Sequence, residues 1–418
     1  MTEETQKKIE ESISSSDVLT TIYDVNRAIF RHLPIYSIDS CSLVCQAWAQ
    51  LARLVKTQRH TVHALTYPPN PLSSTIEFPY LRSDFDRFLS SVIQNNLWSI
   101  PYLAFIVVTN NLEKKGFQSL TSATGDASSS PKHPKRFRSQ SASNRTQRCD
   151  ILQSCLHHLN KSCQVLMVVS DAIVASNEDN QTNEIEQDDA LGILLLPRFP
   201  SNTLGVYPFE ISNKTPISST MSRADLHQCL GGIPDNIPIR SVIFFSSSPQ
   251  YQTVNCMKKL LEFYSPDIAI IGGYVSRSRY DNRKDTRKHS STNPCGIVLT
   301  GDRNHLHIRQ IVLKNQIQTR EAIREKLKEL KSNEYQQRSL SFAIQVSCVA
   351  RGLDFYNQES NVECSEFRTL FPNTPLIGIF GNGEFGHDYL ADEQSKTQTL
   401  KDLFHSYSTI FSLVSIRL

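Results

Sequence analysis

Long hydrophobic runs are missing from this sequence of 418 residues. Its longest apolar stretches, such as 104–108 and 191–196, are far shorter than the roughly 18 residues that a membrane-spanning helix needs. The N-terminus opens on acidic Glu3 and Glu4 and lacks a basic segment followed by an apolar core, so it does not have the pattern of a secretory signal. We therefore expect a protein of the cytosol and nucleus with no membrane partner.

The sequence also lacks metal-binding cysteine spacings and a strong net charge. Ten cysteines are scattered without a C-x-x-C pair, which argues against a structural metal or a disulfide framework. His305 and His307 point to one side of a predicted strand, but no third ligand stands at a suitable spacing. The formal charge of +3 is too small for a protein that binds nucleic acid with its whole surface. We expect neither a metal nor direct nucleic-acid binding.

Catalytic signatures are absent as well. We find no nucleophile elbow, Walker loop, H-E-x-x-H motif or catalytic cysteine pattern. The sequence therefore predicts a protein that is not an enzyme and needs no cofactor.

Helical periodicity dominates the N-terminal region. The cluster 14–17 is a plausible helix cap, and Pro34 ends the first helix, whose apolar face holds Ile22, Val25, Ile29 and Leu33. A second periodic stretch holds Ile38, Cys41, Val44, Cys45, Trp48, Leu51, Ala52 and Val55. This predicts two short amphipathic helices joined by a proline turn. So small a unit buries too little apolar surface to be stable alone, so a partner or the rest of the chain must cover its apolar face.

From residue 60 onward the pattern alternates between strands and helices, which is typical of a mixed α/β body. The predicted strands are 62–65, 103–109, 164–169, 191–197, 241–245, 268–271, 296–300, 307–313, 341–349 and 375–380, and the predicted helices are 85–93, 252–263, 320–331 and 363–371. Residues 119–148 predict a disordered insertion, and 177–189 and 276–293 predict long surface loops. We detect no internal repeat at a fixed period.

A short basic cluster lies inside the predicted insertion. It contains Lys132, Lys135, Arg136 and Arg138. This composition is typical of a nuclear-import signal, although charge runs of this kind are often only solvated.

The N-terminal helices resemble an F-box. The resemblance rests on Ile29, Leu33-Pro34, Cys41 and the run from Val44 to Trp48. It implies that residues 15–60 bind the adaptor Skp1 and, through Skp1, cullin and RING subunits of a ubiquitin ligase. The Skp1-binding residues that we predict are Ile29, Leu33, Pro34, Val44, Cys45 and Trp48.

The C-terminal part resembles FIST domains. The resemblance rests on the run from Pro375 to Gly386 and on 403–409, with Arg351-Gly352 and 366–372 in fitting order before them. It implies a FIST N-terminal-type domain over 61–314 and a FIST C-terminal-type domain over 315–418. The predicted fold class is therefore α+β, with a small all-α F-box followed by a large mixed α/β module. In this family the glycine-rich region is thought to line a small-ligand pocket, which implies Arg351, Gly381, Asn382, Gly383 and Glu384 as candidate contacts.

The same glycines offer a dinucleotide-binding alternative, because Gly381, Gly383 and Gly386 formally satisfy G-x-G-x-x-G. We reject it, since Glu384 would place a carboxylate where a pyrophosphate must sit and no amphipathic helix follows. Two hypotheses remain. The first is the substrate-recognition subunit of a Skp1–cullin–F-box ubiquitin ligase, which holds protein substrates for degradation. The second is a FIST-type module that senses an amino acid or another metabolite.

Overall fold

The α+β class is confirmed by the structure, a computed structural model that describes residues 23–68, 80–120, 146–200, 203–212, 217–283, 293–331, 340–390 and 398–418. Short helices come first, and mixed sheets flanked by helices follow. The predicted cap at 14–17, Ile22 and the basic cluster 132–138 lie outside the described residues. So do residues 121–145 of the predicted insertion, whose ends at 119–120 and 146–148 fall in two paired strands.

The N-terminal unit, residues 23–58, contains helices α1 Tyr23–Phe30, α2 Ile35–Cys41 and α3 Gln46–Gln58. Pro34 stands between α1 and α2, as predicted. The prediction of one continuous second helix is wrong. A turn interrupts it, because Leu43 and Val44 donate their N–H groups back to Ser40 and Cys41. Cys45 then takes an extended backbone conformation, so α3 starts only after it.

We call the rest of the described chain the body. Its strands are β1 His63–Tyr67, β2 Pro101–Thr109, β3 Phe117–Leu120, β4 Thr146–Cys149, β5 Gln164–Ser170, β6 Ala172–Ser176, β7 Thr182–Ile185, β8 Leu191–Pro197, β9 Gly205–Glu210, β10 Ile239–Ser246, β11 Ala269–Tyr274, β12 Arg277–Asp281, β13 Cys295–Thr300, β14 Leu306–Leu313, β15 Leu340–Cys348, β16 Leu376–Gly381, β17 Glu384–Gly386, β18 Tyr389–Leu390, β19 Phe404–His405 and β20 Thr409–Ile416. Its helices are α4 Arg82–Asn95, α5 Asn110–Lys115, α6 Ile151–His158, α7 Arg223–Cys229, α8 Tyr251–Tyr264, α9 Arg320–Lys328, α10 Val362–Leu370 and α11 Leu400–Leu403. The predicted helices and strands of the body all fall on these elements.

Three large sheets of the body share one plan. Their orders are β1-β8-β2-β5-β12, β9-β13-β10-β11-β17-β19 and β14-β20-β15-β16-β6-β7, the last with β18 beside β14. Each sheet has a single parallel pair at its centre, namely β2 with β5, β10 with β11, and β15 with β16. An antiparallel strand flanks the pair on both sides. The body thus consists of three structural repeats, although the sequence shows no repeat at a fixed period. In chain order, the first repeat is built around β2 and β5, the second around β10 and β11, and the third around β15 and β16.

The three repeats exchange strands. The strand that follows the second parallel strand of each repeat pairs in another sheet: β6 pairs with β16, β12 pairs with β5, and β17 pairs with β11. This exchange closes a cycle, so that each sheet depends on a strand from another repeat. The predicted boundary between residues 314 and 315 falls at the end of β14, inside the third repeat, and strands from both sides of it share sheets. The division into two named domains stays a prediction.

Buried residues follow the same plan. One central apolar cluster draws on all three sheets, with Phe105, Phe245 and Ile344 as examples. The other face of each sheet packs against a pair of helices, which are α4 and α6, α7 and α8, and α9 and α10. Apolar faces on both sides explain why the strand runs are continuously hydrophobic and not alternating.

Two predicted surface loops are wrong in part. Residues 182–185 form β7 inside 177–189, and residues 277–281 form β12 inside 276–293. Charged side chains produced the first error, because Glu184 and Asp189 suggest solvent yet are buried. Their hydrogen-bonding partners lie far away in sequence. Residues 284–292 lie outside the described part of the chain.

Candidate functional site

The N-terminal unit has a very small interior. Its fully buried apolar residues are Phe30, Ile38, Leu51, Ala52 and Val55. Leu33, Cys41 and Trp48 pack against them and stay half-buried, and the Trp48 ring meets Phe30 edge to face at a centroid distance of 5.3 Å. Among the predicted Skp1-binding residues, Leu33 and Trp48 therefore also support the unit itself.

Other predicted residues of the unit face outward. Ile29 is 41% exposed and Val44 is 60% exposed, while Pro34 and Cys45 are half-buried at the starts of α2 and α3. Leu43 was missed by the sequence reading, although it is 86% exposed beside Val44. The helical periodicity of this stretch hid the turn between α2 and α3. Recognition of that turn would have identified Leu43 as an exposed residue.

The N-terminal unit is also docked on the body. Ile35 of α2 is buried in the body's cluster around α4, and its N–H donates to the Leu97 carbonyl at 2.9 Å. Arg59 donates to the carbonyls of Phe30 and Leu33, at 2.5 Å each, and its guanidinium lies 5.1 Å from the centre of the Trp98 ring. Part of the unit's apolar surface is therefore covered by the chain itself, and part stays open.

The predicted ligand residue Arg351 is buried at the carboxyl end of β15. Its guanidinium contacts Glu363 and Tyr356, at 2.8 Å and 2.6 Å, and also donates to the backbone carbonyls of Lys314, Ile317 and Tyr407. The pKa of Arg351 is raised by Glu363 despite the opposing effect of burial. Because each guanidinium nitrogen has an acceptor inside the protein, Arg351 has no free donor for a ligand in this conformation.

Glu384, the first residue of β17, is buried as well. One carboxylate oxygen accepts from the Ser408 N–H at 3.0 Å and from its hydroxyl at 2.7 Å, whereas Oε2 accepts no hydrogen bond of ordinary length from the described residues. Burial raises the pKa of this carboxyl. Tyr407 and Ser408 are adjacent, so Arg351 and Glu384 bind neighbouring groups at the start of β20. The structure thus brings these two predicted residues, one just after β15 of the third sheet and one in β17 of the second sheet, to the same segment 407–408.

The glycines between β16 and β17 form a tight turn. Gly383 has a φ of +123°, which favours glycine, and a Cβ on Gly381 would lie 2.7 Å from the Tyr274 carbonyl. The Gly383 carbonyl accepts from the Tyr274 N–H at 2.8 Å. A strand, β17, follows the turn where a dinucleotide site requires a helix. The geometry supports the rejection of the nucleotide alternative.

This turn is one of three equivalent turns, which carry the chain from each parallel pair to its exchanged strand. Asp171, Ser276 and Asn382 belong to the three turns. Asn382 donates to the Asp171 carboxylate at 3.2 Å, and Asn110 donates both to Asp171 and to the Ser276 hydroxyl. Asn382, a predicted ligand residue, therefore helps to hold the three repeats together.

A buried acidic group near Arg351 was missed by the sequence reading. Glu184 accepts from the Cys364 N–H at 2.9 Å, and burial, assisted by the nearby charge of Glu363, raises its pKa to about 8. Glu186 accepts from the Leu353 N–H with both oxygens, and burial raises its pKa too. These carboxyls attach β7 and the segment after it to the Arg351 region.

His305 directly precedes β14, and His307 lies within it. The His305 ring contacts the Arg417 carbonyl oxygen at 3.0 Å through Nδ1. Within the described ranges, we find no group of three or more His, Cys, Asp or Glu side chains placed to hold a metal ion.

In the parts of the chain that the structure describes, every helix is too short or too polar to cross a bilayer.

The third repeat has a recognisable family signature. The model of the FIST C domain matches residues 304–387, from the start of β14 to the residue after β17. The matched segment includes Arg351 and the turn 381–384. The chain therefore carries a FIST C domain.

Relatives match over nearly the full length. F-box only protein 22 of Homo sapiens is 26% identical over 416 residues, which cover 96% of this chain and 94% of that protein, and the protein of the same name from Pongo abelii matches equally. The chain is thus a distant homologue of F-box only protein 22. Among solved structures, cyanuic acid hydrolase from A. caulinodans aligns with a TM-score of 0.29 and 8% identity, over 64% of this chain and 82% of that one. We draw nothing from so low a structural similarity.

Proposed function

We propose that this chain is the substrate-recognition subunit of a Skp1–cullin–F-box ubiquitin ligase. The homology to F-box only protein 22 extends through the N-terminal unit, because it covers 96% of the chain. The observation that carries the proposal is the exposed apolar pair Leu43 and Val44, which projects from the turn between α2 and α3. Because Leu43 and Val44 lie mostly in solvent, their side chains add little to the stability of the N-terminal unit itself.

The physical reason for Skp1 binding is desolvation. Val25 and Ile29 lie one turn apart on the open side of α1 and add two exposed apolar side chains to those of the turn. Apolar side chains that are buried against a complementary surface account for most of the affinity of protein interfaces. Trp48 and Leu33 then act mainly by holding α1 and α3 in position.

In this proposal the body captures a protein to be degraded and performs no chemistry. Ubiquitin transfer belongs to partner subunits, and this chain raises the effective concentration of the substrate near them. The cullin and RING subunits are reached through Skp1, in the cytosol and nucleus.

The test is co-purification of the full chain with Skp1 and cullin. We expect wild-type protein to capture Skp1, and we expect the variant with Leu43→Asp and Val44→Asp to lose at least tenfold in affinity, since two carboxylates would have to be desolvated at the interface. Trp48→Ala and Leu33→Asp should also abolish capture, but they remove internal packing of the unit as well.

A matched control is Tyr251→Asp, which places an acid at an exposed aromatic position on helix α8 of the body. This variant should capture Skp1 as wild type does. Failure of folded wild-type protein to capture Skp1 would refute the proposal.

A second candidate function is small-ligand sensing by the FIST-type module. The observation in its favour is the buried Glu384 Oε2, which accepts no hydrogen bond of ordinary length from the part of the chain that the structure describes. A ligand with a donor group at this oxygen would stabilise the native state by mass action. We expect thermal stabilisation by some member of a panel of amino acids and metabolites, and loss of that shift in Glu384→Gln. No shift at millimolar concentration would dismiss this candidate.

A further inference from the structure

The three repeats differ at their outer edges. In the third repeat the edge strand β14 is covered, because β18 pairs with it antiparallel at Arg309 and Gln310. In the second repeat the edge strand β9 contains Pro208, which has no N–H to donate to an added strand. In the first repeat β1 ends its sheet among the described residues, and it has no proline from His63 to Tyr67. An edge that is neither covered nor blunted is open to strand addition.

The open edge faces a cleft of about 810 Å³. Residues 61–65 line this cleft. Ser341, near the start of β15, and Asn373, just before β16, also line it, so the third sheet contributes to the same cleft. Trp98 and the end of α4 are further lining groups. The volume lies in the range of sites that hold a ligand of several residues or a drug-sized molecule.

What β1 offers the cleft is its backbone. The side chains of Val62 and Ala64 are buried in the central cluster, and those of Leu65 and Tyr67 are buried on the other face. Thr61 exchanges hydrogen bonds with the Ser99 side chain through both its N–H and its carbonyl, on the inner side of the sheet. Since backbone groups alternate along an antiparallel strand, Val62 and Ala64 direct theirs to the outer edge.

The charge of the cleft is negative. Glu178 and Asp179 lie at its mouth on the turn between β6 and β7, and no lysine or arginine is among the described residues that line it. The Asn177 side chain accepts from the N–H groups of Asp179 and Gln181, at 3.0 Å and 2.9 Å, which holds this turn. Burial lowers the pKa of His63 to about 4, so this side chain adds no positive charge near neutral pH. The cleft therefore favours a cationic occupant.

We propose that the edge of β1 binds an extended, lysine- or arginine-containing segment of the protein to be ubiquitylated. The segment adds as an antiparallel strand, as β18 does on β14, and its basic side chains meet Glu178 and Asp179. Backbone hydrogen bonds supply affinity and the acidic mouth supplies selectivity. This inference rests on the proposed function, because it names the class of substrate segment that the receptor holds.

The experiment uses the full chain and fluorescent eight-residue peptides with blocked ends. Each peptide alternates valine with lysine or arginine, and a matched set replaces the basic residues by glutamate. We expect the basic set to bind and the acidic set not to bind. N-methylation of single peptide amides should weaken binding with a period of two residues, because alternate amides pair with β1. The double variant Glu178→Gln with Asp179→Asn should bind roughly three- to tenfold more weakly, with a smaller salt dependence.

The matched control removes the same charge elsewhere, by Glu321→Gln with Glu325→Gln on the exposed side of α9. It should bind as wild type does. Equal binding of basic and acidic peptides, no effect of the cleft variant, or N-methyl effects without a period of two would each overturn the inference. Skp1 capture separates the two proposals, because the cleft variant should still capture Skp1 as wild type does. If wild-type protein binds the basic peptides but fails to capture Skp1, only the proposed function is refuted.

Discussion

The N-terminal unit and the body differ in how completely each satisfies its own apolar surface. The unit encloses five fully buried apolar residues and leaves Leu43, Val44 and Ile29 in solvent. The body encloses a central cluster from three sheets and covers the other face of each sheet with helices. The cyclic strand exchange lets the body cover its own apolar surface, whereas the three-helix unit keeps apolar side chains in solvent even where it is docked on the body. Under the proposed function, these side chains form the surface that Skp1 would cover.

The largest expected effect is at Arg351. Arg351→Met leaves the carboxylate of Glu363 buried without its cation, a change that typically costs about 3–5 kcal/mol. We expect the urea midpoint of the body, followed by far-ultraviolet circular dichroism, to fall sharply. Adding Glu363→Gln should recover part of the loss, because the uncompensated charge is then removed. A normal midpoint for the single variant would show that the body does not depend on this buried network.

Leu51→Ala tests the smallness of the unit's interior. A buried Leu→Ala change costs about 2–5 kcal/mol, which is a large share of what so small a core supplies. We expect hydrogen exchange of the α1 and α3 amides to show that the unit unfolds while the amides of the three sheets stay protected. The matched variant is Leu194→Ala in the central cluster of the body. It should lower the urea midpoint of the body, but the body should stay folded in the absence of urea. A single shared transition in both variants would break the distinction between unit and body.

Glu184 gives the body a pH dependence. The pKa of this carboxyl is about 8 in the folded protein against 4.5 for an ordinary glutamate. Between these values the unfolded chain is ionised while the folded one remains protonated, so the free energy of unfolding falls as pH rises from about 4.5 to about 8. Glu184→Gln should remove this slope and be more stable than wild type by roughly 1–3 kcal/mol at pH 8, with no gain at pH 5. Equal pH profiles for wild type and variant would contradict the assignment, and Glu325→Gln on the exposed helix surface serves as the control.

The smallest effect concerns the junction. Arg59→Ala removes the hydrogen bonds to the carbonyls of Phe30, at the end of α1, and Leu33, just after it, together with the contact with Trp98. We expect a loss of about 1 kcal/mol in the stability of the N-terminal unit. Hydrogen-exchange protection of the α1 and α3 amides should fall while the urea midpoint of the body does not change. Arg53→Ala, an exposed position on α3, is the matched control. No shift with Arg59→Ala would mean that Arg59 does not contribute to holding the unit on the body.

Local patterns predicted most elements of the fold. The long strand 191–197 and the helix beginning at Arg320 needed only hydrophobic periodicity and caps. The strand exchange could not be predicted, because β6, β12 and β17 are short and their partners lie in other repeats. Glu184 suggested a surface loop for the same reason, since its partner Cys364 is 180 residues away.

The sequence predicted some residues of the candidate sites and missed others. The F-box resemblance located the exposed turn through Val44 but missed Leu43, because periodicity extended a helix across it. The FIST resemblance predicted Arg351 and Glu384 as candidate ligand contacts, but it did not predict their hydrogen bonds to 407–408, which lie near the end of the chain. The cleft beside β1 has no sequence signature, since its walls come from segments that are distant in sequence and its binding groups are backbone atoms.

Hydrogen exchange of the full chain with and without Skp1 tests the central claim most directly. We predict that Skp1 protects amides of α1 and of the turn 42–45, and leaves the three sheets of the body unchanged. Protection confined to the body, or no protection in residues 23–58 while Skp1 is bound, would contradict the account.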